Sequence, residues 1–113
     1  MTASDANRLR HMLDAAREAV EFGAGQKRDD LIHNRVLALA LVRCIEIIGE
    51  AAAKVSPELR SKYPEIPWAD IIGMRHRLVH AYYEIDLGRI CDTLTADLPP
   101  MISQLERILQ AYQ

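Results

Sequence analysis

A long apolar stretch between residues 29 and 55 restricts the folds open to this chain more than any other feature. Apolar residues recur there at spacings of three and four, which predicts a helix, and they occupy more than one of its sides. They are Val36, Leu37, Leu39, Leu41, Val42, Cys44, Ile45, Ile47, Ile48 and Ala52. Such a helix needs cover on two sides, so it is either the central helix of a bundle or a helix that also packs on a second copy of the chain.

The same kind of pattern predicts helices on both sides of this stretch. Ser4 is a suitable N-cap for a first helix, which ends at Gly23-Ala24-Gly25 because glycine accepts the left-handed conformation found just past a helix. Ser56-Pro57 begins a short helix that ends by Tyr63. Pro67-Trp68 opens a third amphipathic helix that continues to about Val79.

The C-terminal third is predicted to be helical with one interruption. Asp86 is positioned to cap a helix from Leu87 to about Thr95. Leu98-Pro99-Pro100 interrupts the pattern, since proline lacks an amide donor and its ring clashes one turn upstream. We therefore expect the last helix to be kinked or briefly broken just before Pro99.

Composition supports an all-α, single-domain interpretation covering residues 1–113. Half of the residues are apolar and only 5% are aromatic. A chain of this length leaves room for a second copy to supply burial. A net charge of −2 gives no global positive field for nucleic acid, so any RNA contact must be local.

The same sequence predicts a cytoplasmic protein that is not embedded in a membrane. No signal peptide or long apolar span is recognisable. Cys44 and Cys91 lie in separate helical patterns, and we expect two buried thiols in preference to a disulfide between them.

The stretch Gly73–Asp86 gathers two arginines, two histidines and two tyrosines. His76 and His80 are four residues apart, a spacing that puts two imidazoles on one helix face and suits a transition metal. No third ligand is evident nearby, so no metal or other cofactor is predicted.

Arg75 and His80 suggest a different chemistry, the cleavage of RNA without a metal. Arginine is a permanent cation that fits a phosphate, and histidine titrates near neutrality and serves as an acid or a base. On an ideal helix the two side chains would lie about 140° apart, so either the helix frays near His80 or the two flank a groove. One copy supplies one well-placed imidazole, whereas a twofold dimer would supply two.

A purely structural interpretation of the same residues is also available, and spacing alone favours it. Arg75 and Arg77 would then be surface cations near a helix C-terminus, His80 a neutral residue at the helix end, and Tyr82 and Tyr83 the filling of a seam.

A family resemblance favours the catalytic interpretation. The spacing of three residues resembles the signature of HEPN-domain ribonucleases. Arg75 is followed after four intervening residues by His80, and His80 after one intervening residue by Tyr82. The surrounding residues resemble the HepT type of toxin, which is encoded beside a minimal nucleotidyltransferase antitoxin, MntA. They are Ile47-Ile48-Gly49-Glu50-Ala51, Ile66-Pro67-Trp68, Ile71-Ile72-Gly73-Met74, Leu78-Val79, Ile85-Asp86 and Asp97-Leu98-Pro99.

The resemblance implies an up-down bundle of four to five helices, a homodimer with its site in a shared cleft, and metal-independent RNA cleavage within a type VII toxin-antitoxin system. Arg75 would stabilise the phosphate and His80 would be the acid or base. Tyr82 would accept AMP from the antitoxin.

Three further residues are supporting candidates, namely His76, Arg77 and Glu50. Family members often carry asparagine directly after the arginine, where this chain has His76. The alternative function is a catalytically silent helical module that forms a complex with the nucleotidyltransferase. In a third hypothesis, the motif only joins the two halves of a dimer.

Overall fold

The computed structural model describes residues 1–81 and 84–112, with the backbone alone at positions 80 and 81. Most of it is helical, which confirms the all-α prediction. The elements are α1 (Ala3–Gly23), α2 (Arg28–Ile32), α3 (Arg35–Ala53), α4 (Pro57–Lys62), α5 (Trp68–Ile72), α6 (Met74–Leu78), β1 (Val79–Ala81), β2 (Glu84–Ile85), α7 (Leu87–Asp92), a π-helical segment (Thr93–Asp97, here the π turn) and α8 (Leu98–Tyr112).

The three long helices form the frame of the molecule. α1 packs against both α3 and α8. Apolar residues at helical spacing meet there and are almost completely buried, as the hydrophobic effect requires; they include Leu9, Met12, Leu41, Ile45, Ile48, Leu98 and Leu105. Trp68 is buried against this core, and its indole N–H donates to the Tyr63 carbonyl at 3.1 Å.

A buried polar contact joins the start of α1 to the start of α4. The carboxylate of Asp5 accepts hydrogen bonds from the backbone amide of Ser56 at 2.9 Å and from its hydroxyl at 2.6 Å. Burial favours the neutral acid, but these bonds, together with Thr2, outweigh it and lower the pKa of Asp5. The N-cap of α1 is Thr2, so the prediction of Ser4 is wrong by two residues.

The helix predicted between residues 29 and 55 is in fact two helices, α2 and α3. The chain leaves the helical conformation after Ile32, and the side chain of Asn34 restarts it by accepting from the amide of Leu37 at 3.0 Å. Asparagine competes well for such a cap position, so the break costs little.

The single helix predicted from Pro67-Trp68 to about Val79 is also two helices. It divides at Gly73 into α5 and α6, and it ends at Leu78. The chain then forms a short antiparallel hairpin in which Val79 pairs with Ile85, with an irregularity before Ala81 pairs with Glu84. The amide of Asp86 closes the hairpin by donating to the Leu78 carbonyl at 2.7 Å. The angle expected between Arg75 and His80 on one helix therefore does not apply.

The C-terminal predictions agree with the structure and become more specific. Asp86 caps α7 by accepting from the amide of Arg89 at 3.0 Å. The expected irregularity before Pro99 is the π turn, in which the amide of Leu98 donates to the carbonyl of Thr93, five residues back. Because two prolines follow, the chain cannot supply the next amide donors of a regular α-helix.

Both cysteines are free thiols, Cys44 buried and Cys91 partly buried. Burial raises the pKa of each thiol, so both remain protonated at neutral pH. They belong to the packing of the helices.

Candidate functional site

Three candidate residues follow one another on the short helix α6. Arg75 and His76 are exposed, and Arg77 is partly exposed. Met74 and Leu78 are the buried residues of α6 and pack it against the core. The apolar residues thus anchor the helix, and its polar side chains face outward.

A close backbone approach sets the position of α5, which leads directly into α6, relative to α3. A Cβ atom placed on Gly49 of α3 would lie 3.3 Å from the carbonyl oxygens of both Ile71 and Ile72 at the end of α5. Only glycine leaves room for this approach without a shift of the backbone. The resemblance had singled out the segment around Gly49, and the structure gives a steric reason for glycine there.

Arg75 is oriented by a carboxylate on α3. Its Nε lies 2.6 Å from Oε2 of Glu46, and the guanidinium side chain remains 46% exposed. Arg43, one turn earlier on α3, donates to the other carboxylate oxygen of Glu46. The hydrogen bond from Arg43, then that from Arg75, lowers the pKa of Glu46, so this carboxylate is ionised at neutral pH.

Glu46 is the residue that sequence reasoning missed. The supporting candidate on α3 was Glu50, but Glu50 lies 3.8 Å from Arg43 and, within the described part of the chain, forms no hydrogen bond or ion pair with Arg75. The local sequence gives Glu46 no signal that distinguishes it from Glu50. Its pairing with a residue 29 positions away depends on how α3 and α6 pack, which no local pattern reveals.

Arg77 points to a different part of the molecule from Arg75. Its guanidinium donates to the backbone carbonyl of Asp70 at 2.7 Å and lies 3.9 Å from the Asp70 carboxylate. Residues two apart on a helix face in opposite directions, which explains the separation. The backbone amide of His76 donates to the carbonyl of Gly73, and its imidazole makes no hydrogen bond or ion pair within the described part of the chain.

The remaining motif residues are only partly covered by the structure. His80 lies in strand β1, two residues past the end of α6, and its side chain is outside the described part. Tyr82 and Tyr83 also fall outside the described residues. The proposed roles of His80 and Tyr82 therefore stay predictions.

The described residues hold no group of three or more His, Cys, Asp or Glu side chains placed to bind a metal ion. In the same part of the chain, none of the helices is both long and apolar enough to cross a membrane.

The fold and the site define a small all-α domain of HEPN type that presents an exposed, carboxylate-oriented arginine next to a hairpin. Residues 12–108 match the family model described as Ribonuclease HepT-like, and the chain belongs to that family.

Several named proteins are similar over nearly their whole length. "Putative RNase TTE0752" of Caldanaerobacter subterraneus subsp. tengcongensis is 35% identical over 102 residues, which cover 90% of this chain and 91% of that protein. "Putative RNase MJ1216" of Methanocaldococcus jannaschii is 31% identical over 90% of this chain and 84% of its own. "Probable ribonuclease HepT" of Thermococcus cleftensis is 29% identical over 96% and 98%. No solved structure matches.

Proposed function

We propose that the protein is a metal-independent RNA endonuclease in which Arg75 stabilises the phosphate and His80 transfers a proton. The observation that carries the proposal is the orientation of Arg75. Glu46 accepts from Nε, and within the described part of the chain the two terminal nitrogens make no hydrogen bond, so their N–H groups are available to a ligand. A planar guanidinium presented in this way matches two oxygens of a phosphodiester. Membership of a ribonuclease family and the names of the similar proteins support the same chemistry.

The reaction uses the substrate's own nucleophile. The ribose 2′-oxygen attacks the adjacent phosphorus while a base removes its proton, and the bond from phosphorus to the 5′-oxygen breaks as an acid protonates that oxygen. The products are a 2′,3′-cyclic phosphate and a free 5′-hydroxyl. Arg75 stabilises the charge that develops on the phosphoryl oxygens, and His80 is the acid or base.

A second copy of the chain supplies the other proton-transfer group in this proposal. The exposed face of α3, defined by Val36, Leu39, Arg43, Glu46 and Glu50, spans roughly 80° of an ideal helix. Its first half is apolar, with Val36 80% and Leu39 47% exposed. Its second half carries the carboxylate that orients Arg75. A homodimer formed through this face buries the apolar half and brings two copies of the site close together.

The proposal extends to control by a cognate MntA-like nucleotidyltransferase, which follows from the resemblance. Transfer of AMP to Tyr82 would place a phosphate within seven residues of Arg75 in the chain. An anion near this cation would compete with RNA for it, which is a physical reason for inhibition.

The decisive experiment measures RNA cleavage by the purified chain with a chelator present. Arg75→Ala and His80→Ala should each lower the rate by about 100-fold or more, the usual cost of losing one transition-state partner. Arg107→Ala, which removes an exposed arginine from α8, should change it little. The cleaved ends should carry cyclic phosphate. Full activity in either motif variant would reject its role, and a wild-type protein that cleaves no RNA would favour a silent binding module.

The dimer is tested separately by sedimentation. Val36→Glu should convert dimer to monomer and reduce cleavage, whereas Tyr112→Glu, at an exposed aromatic on α8, should do neither. Co-expression with the nucleotidyltransferase should add AMP-sized mass to the Tyr82 peptide, and Tyr82→Phe should remove that addition.

A further inference from the structure

A cleft of about 500 Å³ lies on the other side of α6 from the Arg75–Glu46 pair, between α5–α6 and the start of α8. We call it the α6–α8 cleft, and its volume is within the range of small-molecule sites in proteins. Arg77, which the sequence marked as a supporting residue of the catalytic motif, lines this cleft together with Arg89 and Asp97.

The floor of the cleft is apolar and its rim is charged. Met74 and Met101 form the floor, with 5% and 3% of their surface exposed, and the neighbouring Leu98 is fully buried. Methionine thioethers pack favourably against aromatic rings. A flat heteroaromatic group would therefore find a suitable surface at the bottom of the cleft.

The two arginines on the rim differ in their hydrogen bonds and ion pairs. Arg77 is bound to Asp70. The side chain of Arg89 is exposed, and within the described part of the chain it makes no hydrogen bond or ion pair. An unpaired arginine at the mouth of an apolar cleft is suited to a phosphate group.

Asp97 adds the means to recognise a base. It is the last residue of the π turn, and π-helical segments inside α-helices frequently occur at functional sites. Its carboxylate accepts hydrogen bonds only, so it suits the exocyclic amino group of cytosine, adenine or guanine. Uracil carries no such amino group and offers only its single ring N3–H.

We propose that the α6–α8 cleft binds one unstacked nucleotide of the RNA, with its base on the methionine floor and its phosphate at Arg89. This inference rests on the proposed function, because it makes the cleft a subsite for a nucleotide beside the cleaved bond. Protein recognition of single-stranded RNA commonly uses unstacked bases held in this manner. Arg75 and Arg77 sit two residues apart on α6, so a strand bound at Arg75 reaches the cleft by crossing one short helix.

Methionine methyl NMR tests this proposal on the whole chain. The protein carries four methionines, two of them on the floor of the cleft, while Met12 is fully buried in α1 and serves as an internal control. Cytidine 5′-monophosphate should shift the signals of Met74 and Met101 and leave Met12 in place. Uridine 5′-monophosphate should bind more weakly. A 2′-O-methyl RNA hexamer containing cytidine, which cannot be cleaved, should produce the same shifts at lower concentration.

Matched variants decide whether the cleft is responsible. Arg89→Gln should weaken binding about tenfold, the ordinary scale for one charge-assisted hydrogen bond, and Arg107→Gln should not. The proposal is wrong if Met74 and Met101 do not respond, if inorganic phosphate alone produces the same shifts, or if only the free nucleotide and not the RNA binds. RNA cleavage without methionine shifts would overturn this inference alone; shifts in a protein that cleaves no RNA would overturn the proposed function and leave the nucleotide site standing.

Discussion

The long-helix frame and the segment from Trp68 to Ile85 differ in the length of their helices and in what stabilises them. The frame of α1, α3 and α8 consists of regular helices whose apolar residues are buried at helical spacing. The segment consists of two five-residue helices and a short hairpin, and among its described residues the polar side chains of Asp70, Arg75, His76 and Glu84 are exposed. Helices so short are not stable alone. The segment therefore takes its shape from the frame, through Gly49, Glu46 and the buried side of α6.

The largest effect on stability should come from a buried polar contact of the frame. Asp5→Ala removes the acceptor for the amide and hydroxyl of Ser56, and we expect it to lower the free energy of unfolding by about 2–3 kcal/mol. Denaturant unfolding measures this loss. RNA cleavage at a temperature where the variant is folded should be unchanged, since the contact lies outside the proposed site.

The pH dependence of the same contact has a defined sign. The pKa of Asp5 is lowered in the folded state, so its stabilisation is present above the ordinary value of about 3.8 and is lost as the pH falls through the folded pKa. The stability difference between wild type and Asp5→Ala should shrink below about pH 4. A difference that stays constant into strong acid would contradict an ionic role for Asp5.

The next largest effect should come from the junction between frame and segment. Gly49→Ala places a methyl group 3.3 Å from two carbonyl oxygens of α5, and we expect a loss of about 1–2 kcal/mol in stability together with reduced cleavage. Gly73→Ala is the matched control, because its nearest such contact is an ordinary 3.4 Å. Equal effects of the two substitutions would remove the steric argument for Gly49.

The frame and the segment from Trp68 to Ile85 also differ in how well the sequence predicts them. The frame follows from apolar spacing, and the caps at Ser56 and Asp86 follow from local residue preferences. The break at Asn34, the division at Gly73 and the Arg75–Glu46 pair do not. Each depends on a competition between local and tertiary contacts, or on residues far apart in the chain. The hairpin did have a local signal, because Val79, the two tyrosines and Ile85 are residues that favour strands. The helical spacing of the apolar residues before it nevertheless led to the prediction of a helix up to about Val79.

A smaller effect should separate the two glutamates of α3. Glu46→Ala removes the carboxylate that orients Arg75 and should reduce cleavage about tenfold, mainly in kcat, while Glu46→Gln should restore much of the loss because its amide oxygen still accepts. Glu50→Ala should stay within about twofold of wild type. The ¹⁵Nε signal of Arg75 provides an independent measurement, since it should move in the Glu46 variants and not in the Glu50 variant.

The smallest effect should come from a surface ion pair of the frame. Arg17 on α1 and Glu106 on α8 lie 2.6 Å apart, but both side chains are about half exposed. Exposed pairs contribute at most about 1 kcal/mol. Glu106→Gln should therefore change the free energy of unfolding by roughly 0.5 kcal/mol or less, and a larger loss would mean that the frame depends on more than packing.

The bond between Glu46 and Arg75 also has an entropic consequence. A free arginine side chain carries about 2 kcal/mol of rotamer entropy, which it loses when it grips a ligand. In this protein, Arg75 loses part of that rotamer entropy on folding, because the Glu46 carboxylate binds its Nε. In the proposed reaction, a phosphate would then bind a guanidinium that is already oriented, and more of the binding free energy would be left for the transition state.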